Sequence, residues 1–159
     1  MRRQRAIEDE RGFTLAELLI TIIIMGIVFA IASFSWVDAI ESRRVDSATN
    51  QVTVDLRTVH SKATNRLADY SFVAPASAVP PGVDPLSTYE TGPTDGTLVF
   101  NRLPDGTQIA AATNIKFKGD GSAQVISGAN PITVGSSKDA ANNHTIDVNI
   151  ATSRIKVVP

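Results

Sequence analysis

Hydrophobic positions along this chain follow three patterns in succession. The first is unbroken: Leu18 to Val37 is a run of 20 residues without a charge, in which Thr21, Ser33 and Ser35 are the only polar side chains. About 20 apolar residues, wound as a helix, span a hydrocarbon core of roughly 30 Å. The second pattern is periodic. Val45, Ala48, Val52, Leu56, Val59, Ala63 and Leu67 recur at spacings of three and four, which predicts one apolar stripe on an amphipathic helix. No proline or glycine interrupts residues 27–74. The two patterns therefore predict one continuous helix from Phe13 to about Ala68, roughly 80–85 Å long at 1.5 Å per residue.

The third pattern alternates. Residues 70–94 are rich in Pro, Ser and Gly and read as a long loop, with one short strand near Tyr70 to Val73. Strand-like runs follow at Thr97–Arg102, Asn114–Lys118, Ala123–Ile126, Pro131–Val134, Thr145–Ile150 and Arg154–Val158. The turn dipeptides Asp95-Gly96, Asp105-Gly106 and Asp120-Gly121 punctuate them. Ile146, Val148 and Ile150 point one way, and Thr145, Asp147 and Asn149 the other. That is a half-buried antiparallel strand whose apolar face is expected to lie on the helix stripe. The predicted fold is α+β: a long N-terminal helix packed by its second half against an antiparallel β-rich head.

Charge adds an orientation. The segment before the apolar run carries Arg2, Arg3, Arg5 and Arg11 against Glu8, Asp9 and Glu10, whereas the far flank has only Arg43 and Arg44. Basic residues retain their end in the cytoplasm, and acids count little in that rule. The N-terminus is thus expected to be cytoplasmic and the head exported. Trp36 falls where an amphipathic ring sits at headgroup level. Gly26 and Ala30, four apart, would let helices approach closely. The net charge of −1 predicts no strong attraction to nucleic acid. With no cysteine, a disulfide framework, a thiolate metal site and a cysteine nucleophile are all excluded.

One residue conflicts with the apolar block. Glu17 is an acid near its start, and an ionisable group at membrane depth calls for a functional explanation with a named partner. An ordinary signal peptide cleaved after Ala32, in the small-residue stretch Ala30-Ile31-Ala32, is one reading. The apolar run continues beyond that point, and it exceeds the usual ~7–15 residues of such a region. A plain signal anchor fits the length and leaves Glu17 unexplained.

The third reading rests on Gly12-Phe13-Thr14-Leu15-Ala16-Glu17-Leu18. Together with the basic leader and the long apolar helix, this segment resembles the processing site of type IV pilin-like proteins. The resemblance implies a cytoplasmic leader over residues 1–12, a transmembrane half over 13–37, an amphipathic half over 38–69, and a head over 70–159 with a Pro-rich loop at 74–94. It implies cleavage between Gly12 and Phe13 by a prepilin peptidase, with methylation of the new Phe13 amine. Glu17 then becomes the fifth residue of the mature chain, placed to pair with the free amine of Phe13 on a neighbouring subunit. Two opposite charges brought together in a low dielectric offset each other's desolvation and would set axial register.

The order of pieces also resembles the H-type minor pseudopilins of type II secretion and related minor pilins. VDSATNQVTVDLRTVHSKATNR looks like their second helical half, and LVFNRLPDGTQ, IKFKGDGSAQVISGANPITV and HTIDVNIATSRIKV look like their head strands. The family often has Gly-Arg near its end, where Ser153-Arg154 stands here, and many members have a proline near the position of Phe34. The implied partners are other pilins or pseudopilins of one filament, the prepilin peptidase, an inner-membrane assembly platform and the lipid bilayer.

Some related minor pilins bind DNA, which brings Arg154 and Lys156 on the last strand, and Arg57, Lys62 and Arg66 on the helix, into consideration. Phosphate binding needs clustered positive charge, and acids are interspersed here, so DNA is the less favoured partner. His60 and His144 lack spaced companions for a metal, with His60 on the helix and His144 expected in a turn. Asp105, Asp120 and Asp139 fall in turns, where aspartate is favoured on its own account. No nucleophile elbow, P-loop or nucleotide fingerprint occurs. Neither an enzyme nor a cofactor is expected.

Overall fold

A computed structural model describes residues 12–139 and 141–158. The leader expected over 1–12 lies outside the described residues except for Gly12. The chain divides into two compact units, one ending at Asp38 and one beginning at Ala39. A single helix, α1 (Leu15–Arg66), supplies the first unit and opens the second.

In the first unit, α1 is apolar and exposed throughout its described side chains. It is long and apolar enough to cross a membrane. Thr21 does not break it, because its hydroxyl donates to the Leu18 carbonyl at 2.8 Å and so keeps its polarity within the helix.

In the second unit the predicted stripe is buried from Val45 to Ala63. Thr49 and Thr53 join it, although they are polar in sequence. Their hydroxyls donate back to Val45 O (2.8 Å) and Thr49 O (2.7 Å), leaving methyl groups to pack. Leu67 does not belong to the stripe. It adopts φ +49° and is 82% exposed. Bonds from Leu67 N to Thr64 O (3.4 Å) and from Ala68 N to Ala63 O (3.2 Å) close the helix as a Schellman cap around this left-handed residue. The helix therefore ends at Arg66, before the expected Ala68.

Among the described residues, nine strands cover the stripe: β1 (Tyr70–Ala74), β2 (Thr88–Pro93), β3 (Val99–Arg102), β4 (Thr107–Ile109), β5 (Thr113–Phe117), β6 (Ala123–Gly128), β7 (Ile132–Ser136), β8 (Asn143–Val148) and β9 (Ile155–Val158). They form two antiparallel sheets, ordered β3-β2-β1-β5-β6 and β4-β7-β8-β9. Phe72, Tyr89, Ile115 and Phe117 from the first sheet, and Ile132, Val134, Ile146 and Val148 from the second, share one core with the helix.

The extent of two predicted segments of the head also needs correction. The loop expected over 74–94 contains a 3-10 turn at Pro85–Ser87 and the whole of β2. Gly92 and Pro93 disguise that strand in sequence. It forms because Tyr89 is buried against Phe72, with ring centroids 5.2 Å apart, and because β1 and β3 pair with it on either side. The strand expected through Ile150 stops at Val148, so Ile146 and Val148 are buried while Ile150 is 50% exposed in the turn that follows.

Among the described residues, polar contacts join helix to head at several levels. Glu41 accepts from Ser136 Oγ. His144 Nε2 lies 2.9 Å from Asp46 Oδ1, which places His144 in β8 and not in a turn. Tyr89 donates to Asp55 Oδ2 at 2.5 Å and accepts from Gln51 Nε2 at 2.9 Å. Burial, reinforced by the Asp55 carboxylate, pushes the Tyr89 hydroxyl far above its ordinary pKa. Near the helix end, the β5–β6 turn approaches so closely that a Cβ on Gly119 would sit 2.4 Å from the Leu67 carbonyl carbon. Glycine is required there for space.

Candidate processing and docking site

The first described residues are all open to solvent. Gly12 has nothing within 4 Å of where a side chain would project, and Phe13 is 83% exposed. Thr14 is the helix N-cap: its Oγ1 accepts from Glu17 N at 3.2 Å, and its carbonyl accepts the first helical bond from Leu18 N at 3.1 Å. Glu17 therefore occupies the third helical position, where an acid also complements the positive end of the helix dipole. Its side chain is exposed and has no partner among the described residues.

The cap is legible in sequence as Thr14-x-x-Glu17, the spacing of a capping box. Only the Glu17 backbone N–H takes part in the observed cap, so the Glu17 carboxylate stays free for a contact outside the described residues. The cap also fixes where the helix begins. Gly12 and Phe13 stay outside the helix.

The remaining candidate residues lie apart from this site. Arg154 and Lys156 are exposed around β9, with Asp147 directly opposite Lys156 and with Asn149 and Thr152 beside them. The structure thus sets an acid within the pair and no aromatic ring beside it. Asp105 is engaged by Arg102 at 2.7 Å. Asp120 accepts from Ser122 N and Oγ, bonds that hold its carboxyl below the usual range. Asp139 accepts from Ala141 N at 2.9 Å. Among the described residues, no three His, Cys, Asp or Glu side chains gather around a common point. His60 packs its ring on Phe117, and its Nε2 is 3.3 Å from Gly121 O.

Residues 9–33 match the prokaryotic N-terminal methylation motif. The chain thus carries a type IV pilin-like prepilin signal and is a prepilin-peptidase substrate of that kind. The match covers the leader junction and much of the apolar helix, and none of the head. The exposed apolar helix is consistent with anchoring in the inner membrane. No curated protein and no solved structure gives a significant match.

Proposed function

We propose that this chain is a minor pilin or pseudopilin, a structural and non-catalytic subunit at or near the tip of a type IV pilus-like or type II secretion filament. The peptidase cuts between Gly12 and Phe13 and the Phe13 amine is methylated. The mature subunit waits in the cytoplasmic membrane with its head outside, and the assembly platform draws it into the filament. Glu17 then pairs with the Phe13 amine of a neighbouring pilin.

The observation that carries this reading is the register of the methylation motif with the helix. The matched residues end in a helix whose first half is apolar and uncovered, while its second half is wholly committed to the head. An uncovered apolar helix needs lipid or other helices around it. The unpartnered Glu17 carboxylate near its start supports a partner on another chain, because a lone charge there is costly.

Intact mass of the protein isolated from membranes of its own host tests the proposal. A chain beginning at methylated Phe13 is the expected result. A chain beginning at Ser33 would identify an ordinary signal peptide and overturn it. Binding of DNA by the head, salt-dependent and lost on replacing Arg154 and Lys156, would move the subunit to a DNA-uptake filament.

A further inference from the structure

A cleft of about 350 Å³ opens between the second half of α1 and the β1–β2–β3 side of the first sheet. Its helix wall presents Lys62 and Arg66, one turn apart, so both cations face the same space. Neither has a carboxylate partner among the described residues. By contrast, Lys116 is held by Asp69 at 2.8 Å and Arg102 by Asp105 at 2.7 Å.

The floor adds a free donor. Tyr70 lines the cleft with most of its ring buried; its hydroxyl makes no hydrogen bond among the described residues and is open to solvent, so it can donate to a ligand in the cleft. Asn101, on the opposite wall, spends its amide nitrogen on Thr91 Oγ1 and Val99 O, which leaves its carbonyl oxygen free. Val59, Pro93 and Val99 make the rest of the wall apolar, and Val99 is substantially exposed on the edge strand.

At the other end stands Asp55, already bound to Tyr89. It lies seven residues before Lys62 and eleven before Arg66, about 10 and 16 Å along the helix at 1.5 Å per residue. The cleft is thus polarised, negative at one end and doubly positive at the other. An anion is admitted only at the end near the helix terminus.

From these features we infer that the cleft is a docking site for an extended peptide segment of a partner protein that places an Asp or Glu carboxylate between Lys62 and Arg66. The Tyr70 hydroxyl donates to the same carboxylate, a small apolar side chain of the segment packs on Val59 and Val99, and the Asn101 oxygen accepts a peptide N–H. Charged hydrogen bonds from two cations to one carboxylate supply the specificity. The inference does not depend on the filament reading, because the cleft is built from the second half of α1 and the head strands.

The test uses the mature full-length chain in detergent micelles and an array of octapeptides in a Val/Ser background. Each peptide carries one Asp or Glu, and each has an Asn or Gln isostere as its control. The expected result is binding of acidic peptides at least about tenfold tighter than of their isosteres. That preference should disappear in the Lys62→Glu/Arg66→Glu double variant, and Tyr70→Phe should weaken it about threefold. Both cations are exposed, so the double variant is expected to keep the parent melting temperature, which is measured alongside. Equal binding of acidic and neutral peptides would overturn the proposal, as would an acid preference that survives in the double variant. Saturable binding of acetate or inorganic phosphate as tightly as the best peptide would likewise replace the peptide site with a simple anion site.

Discussion

Tyr89→Phe removes one hydroxyl from the contact between the helix and the five-stranded sheet and leaves the ring in place. The ring is fully buried and stacked on Phe72, with an interplanar angle of 28°, so packing is retained. Two hydrogen bonds are lost, one to the Asp55 carboxylate at 2.5 Å and one from Gln51 at 2.9 Å. A bond to a charged group is worth about 1.5–3 kcal/mol and a neutral one about 0.5–1.5 kcal/mol. Both losses fall at the low end. Asp55 is half-buried, so water can replace the phenol, and Gln51 keeps its bond to Arg102 O at 3.0 Å. The expected cost is about 2 kcal/mol, or roughly 6–10 °C in Tm for a unit of this size. Thermal and urea unfolding of the mature chain would measure it. In a double-mutant cycle with Asp55→Asn, the two substitutions should couple by about 1 kcal/mol.

A pH series sharpens the same test. The folded pKa of Tyr89 is raised above its ordinary 10.0, first by burial and then by Asp55. Its stabilising contribution is therefore complete below pH 10, where both folded and unfolded states hold the proton. Above that pH the unfolded chain ionises first, and the contribution is lost at up to about 1.4 kcal/mol per pH unit. The gap between wild type and Tyr89→Phe should narrow from pH 10 upwards. A cost below about 0.5 kcal/mol at pH 7, or a gap constant from pH 9 to 11.5, would refute the reasoning.

Three further outcomes are expected. Leu67→Gly should stabilise the chain by about 0.5 kcal/mol, read as a raised urea midpoint at constant slope. The left-handed φ of +49° costs a non-glycine residue about 1–2 kcal/mol, partly offset by the entropy of glycine in the unfolded chain, and the exposed side chain loses no burial. Asp69→Asn should flatten the acid limb of the stability curve. The Lys116 ammonium at 2.8 Å, with Gly119 N, holds the Asp69 carboxyl below its ordinary 3.8, so that contribution is present above pH 3.8 and lost as pH falls below it. Glu17→Gln should leave membrane insertion intact and abolish recovery of the subunit with sheared filaments. Equal recovery would overturn the docking role of the Glu17 carboxylate.

The legible part of this protein was the part with a single physical solution. A long apolar run and a three-four stripe with no breaker between them have one geometry, so α1 and its buried face from Val45 to Ala63 could be read directly. The methylation motif over residues 9–33 could also be read, because it is local and needs no fold to bring its residues together. Turn dipeptides located the hairpin at Asp120-Gly121, where glycine has φ +87°.

What remained hidden depends on residues far apart in the chain. β2 carries Gly92 and Pro93 and looks like a loop until β1 and β3 flank it and Tyr89 reaches Asp55 across 34 positions. Ile150 continues a period of two but falls beyond the last ladder pair of its strand, Val148 with Ile155. Leu67 continues the helical period but becomes the left-handed cap, because the β5–β6 turn crosses the helix end there. The cleft of Lys62, Arg66 and Tyr70 could not be read from spacing, since its walls come from the helix and three strands. The sequence by itself determined the long apolar helix, its N-terminal methylation motif and the face the helix buries. Tertiary structure decided where each periodic pattern stopped and which polar groups met, because both depend on pairing energies that no local window contains.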